Sequence, residues 1–229
     1  MTSDLNQSSQ TSFEAVLFDF GGIFIDSPFE AVIGAAEGMN IPAETLTDLV
    51  FGSYDLDTDH PWHRLERGEI TFDHARSEII SLSAQSGWGE VDPIAVLMKL
   101  SSGGLEIRSE VVDTVIAIRS AGMKTAIVTN NLREFSSSWR AMLDIDSLFD
   151  VVVDSSEVGM RKPDPRIFLH ACELLGVKPS RSLFVDDHHG NVAGANRAGL
   201  VALDFGYTKE SAAAALAELR HMVGIPATT

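Results

Sequence analysis

The chain has 229 residues, 45% of them hydrophobic, enough for one large domain or a domain with an insert. Asp and Glu number 33 against 17 Lys and Arg, a formal charge of −16. That balance argues against nucleic acid or an anionic membrane as partner, because phosphate backbones are held by clustered cations. One cysteine, Cys172, leaves no internal disulfide and fits a reducing, cytoplasmic setting.

Residues 1–12, MTSDLNQSSQTS, are polar and read as a disordered tail without the charged and apolar regions of a signal peptide. The apolar run Ala15–Phe20 then reads as a buried strand delivering Asp19 to the turn Gly21-Gly22. Ser27-Pro28 opens a helix, with Pro at the first helical position. Pro42–Phe51, Phe72–Gln85 and Pro93–Leu100 read as further helices, so residues 28–105 are expected to form an inserted helical domain rather than a loop. The rest alternates. Helix Glu110–Ala121, N-capped by Ser109 and stopped by Gly122, leads to strand Thr125–Thr129 and then strand Val151–Asp154. Helix Pro165–Leu175 ends at Gly176, strand Ser182–Val185 follows, and helix Gly190–Ala198 ends at Gly199. Strand Val201–Phe205 and an alanine-rich helix, Ser211–Val223, close the chain. The strands are rich in Val, Ile, Leu and Phe without clean alternation, as in a parallel sheet covered on both faces. The pattern predicts an α/β, doubly wound Rossmann-like core over 13–27 and 106–229. No apolar run approaches the roughly 18 residues of a membrane span.

Ligands of open α/β sheets bind at the carboxyl ends of the strands. The first strand ends in Asp19, the second in Thr129-Asn130-Asn131, and the fourth in Asp186-Asp187. The loop after the third carries Arg161-Lys162-Pro163-Asp164-Pro165. A carboxylate, a hydroxyl, a lysine and a carboxylate pair gathered at one edge suit phosphoryl transfer. Lys162 and Thr129 can meet phosphate oxygens, Asp186 and Asp187 offer hard oxygen ligands to Mg²⁺, and Asp19 can attack.

With FDFGG, VTNN, RKPDP and VDDHHGN in this order, each at a predicted strand end, the sequence resembles the haloacid dehalogenase (HAD) superfamily. The helical insert sits where that family carries its C1 cap, and Arg64–Thr71 is similar to cap sequence of the phosphatase domain of bifunctional epoxide hydrolases. The resemblance implies Asp19 as nucleophile, Thr129 and Asn130 at the transferring phosphate, and Lys162 stabilising nucleophile and phosphate. It implies Mg²⁺ held by Asp19, the Gly21 carbonyl, Asp186 and Asp187, with Asp187 the preferred direct ligand, and Asn191 fixing that loop. Phosphatases of the family carry a second Asp two residues after the nucleophile, as general acid and base; here that position is Gly21.

The resemblance implies a hydrolase, most simply a cytoplasmic Mg²⁺-dependent phosphatase of small phosphorylated metabolites, as monomer or homodimer. The alternatives are a metal-independent 2-haloacid dehalogenase and a weakly catalytic member that binds a phosphometabolite or a protein. Asp26 reads as a hinge residue, and Arg161 as a brace for its loop. Cys172 reads as core, His60 and His63 as solvated, and Phe135 with Trp139 as an i, i+4 packing pair. His188 and His189 are weak candidates for the missing base.

Overall fold

The computed structural model describes residues 13–102 and 106–226; the predicted N-terminal tail and the predicted cap boundary at residue 105 lie outside them. The chain starts with β1 (Ala15–Phe18) and passes through α1 (Pro28–Met39), α2 (Ala43–Val50), α3 (Pro61–Glu66), α4 (Phe72–Gln85) and α5 (Pro93–Ser102). It continues as α6 (Ser109–Ser120), β2 (Lys124–Thr129), α7 (Ser136–Arg140), α8 (Ile145–Leu148), β3 (Val151–Asp154) and α9 (Ser155–Val158). The last part is α10 (Pro165–Leu175), β4 (Ser182–Asp186), α11 (His189–Arg197), β5 (Val201–Asp204) and α12 (Lys209–Met222).

The five strands are parallel, in the order β3-β2-β1-β4-β5. β1 lies between β2 and β4, which is why all four of its side chains are fully buried. Val16 and Phe18 face one layer, with Val115 and Ile118 of α6 and Leu216 and Leu219 of α12. Ala15 and Leu17 face the other, with Ile167, Phe168 and Cys172 of α10. This two-sided burial explains the unbroken apolar runs. Helices α1–α5 bury their own cluster, including Val32, Leu46, Val50, Trp62, Leu65, Ile79 and Val96, and Leu132 of the sheet layer joins it. They form the cap above the strand ends.

Helix ends follow their local chemistry. α10 starts at Pro165, the Asp164 carboxylate accepts the Arg166 N–H, and Gly176 closes the helix in the left-handed region. Among the described residues no helix is long and apolar enough to cross a membrane.

Several boundaries differ from the sequence reading. β1 stops at Phe18, because Asp19 and Phe20 turn out of the ladder, while β4 extends to Asp186. Ser109 is the first residue of α6 and not its cap; Arg108 occupies the cap position without a side-chain hydrogen bond to the helix. The short helices α3, α7, α8 and α9 carry four to six residues each, too few for a periodic signal. Phe135 and Trp139 do not share one helix: Phe135 ends a 3₁₀ turn ahead of α7, and Trp139 lies within α7. Trp139 is buried against Phe20, with ring centroids 4.9 Å apart, and Phe135 is 44% exposed. His63 is not solvated but fully buried inside the cap, its Nδ1 accepting the Thr58 N–H at 3.0 Å.

Candidate active site

The site starts where β1 runs out. Asp19 N–H still donates to the Val185 carbonyl at 2.9 Å, and Asp19 Oδ1 accepts the Phe20 N–H at 2.7 Å, which turns the carboxylate over the sheet edge. The chain then reverses at Gly22, with φ of 73°. A Cβ at Gly22 would overlap the Asp187 carboxylate, so the second glycine is what lets β1 and β4 bring their acids together. Arg108, at the N-terminal end of α6, donates to the Gly22 and Ile23 carbonyls and pairs with Asp26 at 3.1 Å. Asp26 is thus an exposed tie between the segments that lead into and out of the cap.

Lys162 occupies the centre. Its buried ammonium lies 2.8 Å from Asp19 Oδ1 and 2.7 Å from Asp186 Oδ2. The Asn130 amide clamps the lysine's backbone: Oδ1 accepts the Lys162 N–H at 2.8 Å and Nδ2 donates to its carbonyl at 3.0 Å. The side chain of Asn130 therefore orients Lys162, and Asn130 also lines the cavity over Asp19. Asp186 also accepts the His188 N–H at 2.8 Å and the Asn191 amide at 3.0 and 3.1 Å. Its acceptor capacity is largely spent. Asp187 accepts, among the described residues, one hydrogen bond, from Ser27 Oγ at 2.7 Å.

Carboxylate oxygens of Asp19, Asp186 and Asp187 lie within 4.8 Å of one another. Burial pushes Asp19 up to about 6, against the pull of Lys162 and with the help of Asp186. Burial also raises Asp187, reinforced by Asp186 and Asp19. For Lys162 burial opposes the charge, but Asp186 and Asp19 outweigh it and its pKa rises. Three acids share one ammonium, and the pair most disturbed is the one facing the opening. A hard divalent cation between Asp19 and Asp187 fits this donor set, since oxygen ligands with unspent lone pairs and excess negative charge are what Mg²⁺ takes.

A cavity of about 190 Å³ opens over these groups. Gly21, Thr129, Asn131 and Asn191 line its floor, and Thr129 is buried at the end of β2. Its roof comes from the cap: Phe51, Tyr54, Trp62 and Leu97. His188 also lines it, packed on Tyr54 at 5.1 Å, whereas His189 is exposed and pairs with Asp55 at 3.1 Å. Arg64 turns away to Glu78 at 3.0 Å.

Two contacts escaped the sequence reading. Ser27 holds Asp187 from 160 positions away. Arg161 does more than brace its loop: fully buried, its Nε donates to Glu66 Oε2 at 2.7 Å, and Glu66 Oε1 accepts Trp62 Nε1–H at 3.0 Å. An ion pair thus joins the cap to the residue beside Lys162. The adjacent Arg-Lys pair was visible, but nothing in the spacing pointed to Glu66.

A sequence model described as haloacid dehalogenase-like hydrolase matches residues 13–199. The chain belongs to the haloacid dehalogenase-like hydrolases. This hydrolase is 31% identical over 96% of its length to acyl-CoA dehydrogenase family member 10 of Mus musculus. It is 26% identical over 90% of its length to bifunctional epoxide hydrolase 2 of the same species. It spans only 20% and 38% of those two proteins. Sesquiterpene phosphatase astK of Aspergillus oryzae is 27% identical, with 93% of this chain and 98% of that protein covered. Among solved structures, a HAD family enzyme of Bacteroides thetaiotaomicron superposes with a TM-score of 0.62 at 20% identity, over 87% of this chain and 96% of that one, and shares the fold.

Proposed function

We propose that this hydrolase is a Mg²⁺-dependent phosphatase that takes the phosphoryl group of a small monoester onto Asp19. One observation carries the reading: the Lys162 ammonium bridges Asp19 and Asp186 on the floor of a cavity, beside an Asp187 carboxylate with lone pairs to spare. The astK relative, a named phosphatase matched along nearly its whole length, supports it.

In this reading Asp19, ionised above about pH 6, supplies the attacking oxygen. Lys162 and Thr129 meet the phosphate oxygens, with charge on Lys162 held by Asp186. Asn130 and Asn191 position Lys162 and Asp186. Mg²⁺, when held by Asp19, Asp187 and the Gly21 carbonyl, offsets the repulsion between carboxylate and phosphate. Gly21 offers no side chain to protonate the leaving oxygen or to activate water, a help worth roughly 10²–10⁴-fold. A metal-free 2-haloacid dehalogenase would also lack the second Asp, but it has no use for a buried Asp187 set beside Asp19 and Asp186.

Hydrolysis of 4-nitrophenyl phosphate tests this. It is expected to require Mg²⁺, to vanish in Asp19→Asn, and to persist when chelator is replaced by Mg²⁺. Chloride release from 2-chloropropionate in chelator, without phosphatase activity, would refute it.

A further inference from the structure

Above the phosphate end, the cavity wall changes character. Phe51, Tyr54 and Trp62 come from the cap, with Leu97, while Leu132 and Phe135 come from the loop after β2. Phe51 and Trp62 meet edge to face at 4.8 Å. Among the described lining residues Lys162 is the cation, and it is already paired with Asp19 on the floor and with the fully buried Asp186. The acid in the upper part, Glu66, is committed to Arg161 and Trp62. Among the described lining residues, a second anionic group on the substrate finds no cation there. The whole cavity, phosphate end included, measures about 190 Å³, which limits the organic part to a small group, since roughly 150 Å³ already holds a benzene ring in an engineered apolar cavity.

The floor makes an independent demand. With Gly21 in place of an acid, the leaving oxygen departs as an anion. A phenol ionises near 10, as tyrosine does, whereas an alkyl alcohol lies nearer water at about 15.7. The aromatic wall and the missing acid converge on one substrate class. We propose that the physiological substrate is an aryl phosphate whose single ring carries no further charge, the ring seated among Phe51, Tyr54, Trp62, Leu97, Leu132 and Phe135. This rests on the phosphatase reading above. An Asp19 oxygen bonds to phosphorus as the phosphorus–aryl oxygen bond breaks; the aryloxide leaves with the electron pair and takes its proton from water. A water oxygen then bonds to phosphorus, the bond to Asp19 breaks to regenerate the carboxylate, and the water proton passes to solvent.

Binding separates this inference from turnover. In Mg²⁺, calorimetry on the full chain is expected to find phenylphosphonate at least tenfold tighter than methylphosphonate or phosphonoacetate. Phe135 is half exposed, so Phe135→Arg should fold and should shift the preference toward phosphonoacetate by about tenfold. Phosphonoacetate binding as tightly as phenylphosphonate to the native chain, or no gain of phenyl over methyl, would overturn the aryl assignment while leaving the phosphatase reading intact. In kinetics, phenyl phosphate should turn over at least a hundredfold faster than benzyl phosphate, and Gly21→Asp should narrow that gap; equal rates in the native enzyme would overturn it too. Failure of all three phosphonates to bind, with no hydrolysis of 4-nitrophenyl phosphate, would overturn both readings.

Discussion

Asp186 and Asp187 are chain neighbours with different surroundings, and the difference gives each its own expected phenotype. Asp186 spends its oxygens on Lys162, the His188 N–H and Asn191, whereas Asp187 keeps lone pairs free beside Asp19. Asp187→Asn is expected to abolish the thermal stabilisation that Mg²⁺ gives the native chain, an effect of about 2.7 kcal/mol at a hundredfold excess over Kd. Asp186→Asn should retain part of it and instead lower the melting temperature without metal. Because Asp19 titrates near 6, protons compete with the cation, so the native Mg²⁺ effect should grow between pH 5.5 and 7.5 in differential scanning fluorimetry. His63 belongs to stability and not to chemistry. Burial, with Arg161 nearby, lowers its pKa to about 3, below the unfolded value of 6.5. The stabilisation is present above 6.5 and is lost as pH falls toward 3, since the unfolded chain takes the proton first. Between pH 7.5 and 5 the native chain should lose about 2 kcal/mol more than His63→Asn, one pKa unit being about 1.36 kcal/mol. Urea unfolding at the two pH values reads the difference. Asp19, Thr129, Asp186 and Asp187 were legible in the sequence because each sits at or just past the end of an apolar run, and Lys162 because it stands in the Arg161–Pro165 loop that follows the third run. Ser27 was legible only as a helix start, because its hydroxyl serves a residue that local spacing does not reach.

At the scale of elements, the contact that matters most is the one between α3 and the loop before α10. Arg161 and Glu66 are both buried, and the pair crosses from core to cap. Removing Glu66 takes the 2.7 Å partner from a buried charge and leaves it Asp57 at 3.8 Å, at a cost of up to about 3–5 kcal/mol, whereas replacing both by apolar side chains of similar volume is near neutral. Glu66→Ala is therefore expected to loosen the cap. Hydrogen exchange should speed up in α3 while the β1 and β4 amides stay protected, and Arg161→Met with Glu66→Leu should restore much of the loss. Uniform acceleration across the sheet would show that the pair supports global folding and not the cap alone. The strands and long helices were readable because period and punctuation agree: α10 runs from Pro165 to Gly176, and α4 from its Thr71 cap to Gln85. What could not be read is how α3 sits, since six residues carry no period and its position is set by Glu66, 95 positions from its partner.

The whole molecule carries a charge of −16, and the proposed substrate is an anion. The two features conflict. At long range the surface field repels a phosphate monoester, while attraction from Lys162 and a bound cation acts only inside the cavity. Added salt screens the long-range part first, since the screening length falls to about 10 Å at 0.1 M, and buried pairs are screened much less. The expected result, in saturating Mg²⁺, is that kcat/KM for an aryl phosphate rises by about two- to fivefold between 20 and 200 mM NaCl while kcat stays level, as for any encounter slowed by like charge. An acidic surface thus tunes the rate of capture without touching the chemistry. Stopped-flow or steady-state kinetics at four salt concentrations checks it. A fall in kcat/KM over that range would mean that the cavity's positive field extends past the cap opening and governs capture instead. In that case Phe135→Glu, at the exposed rim, should lower kcat/KM further at low salt.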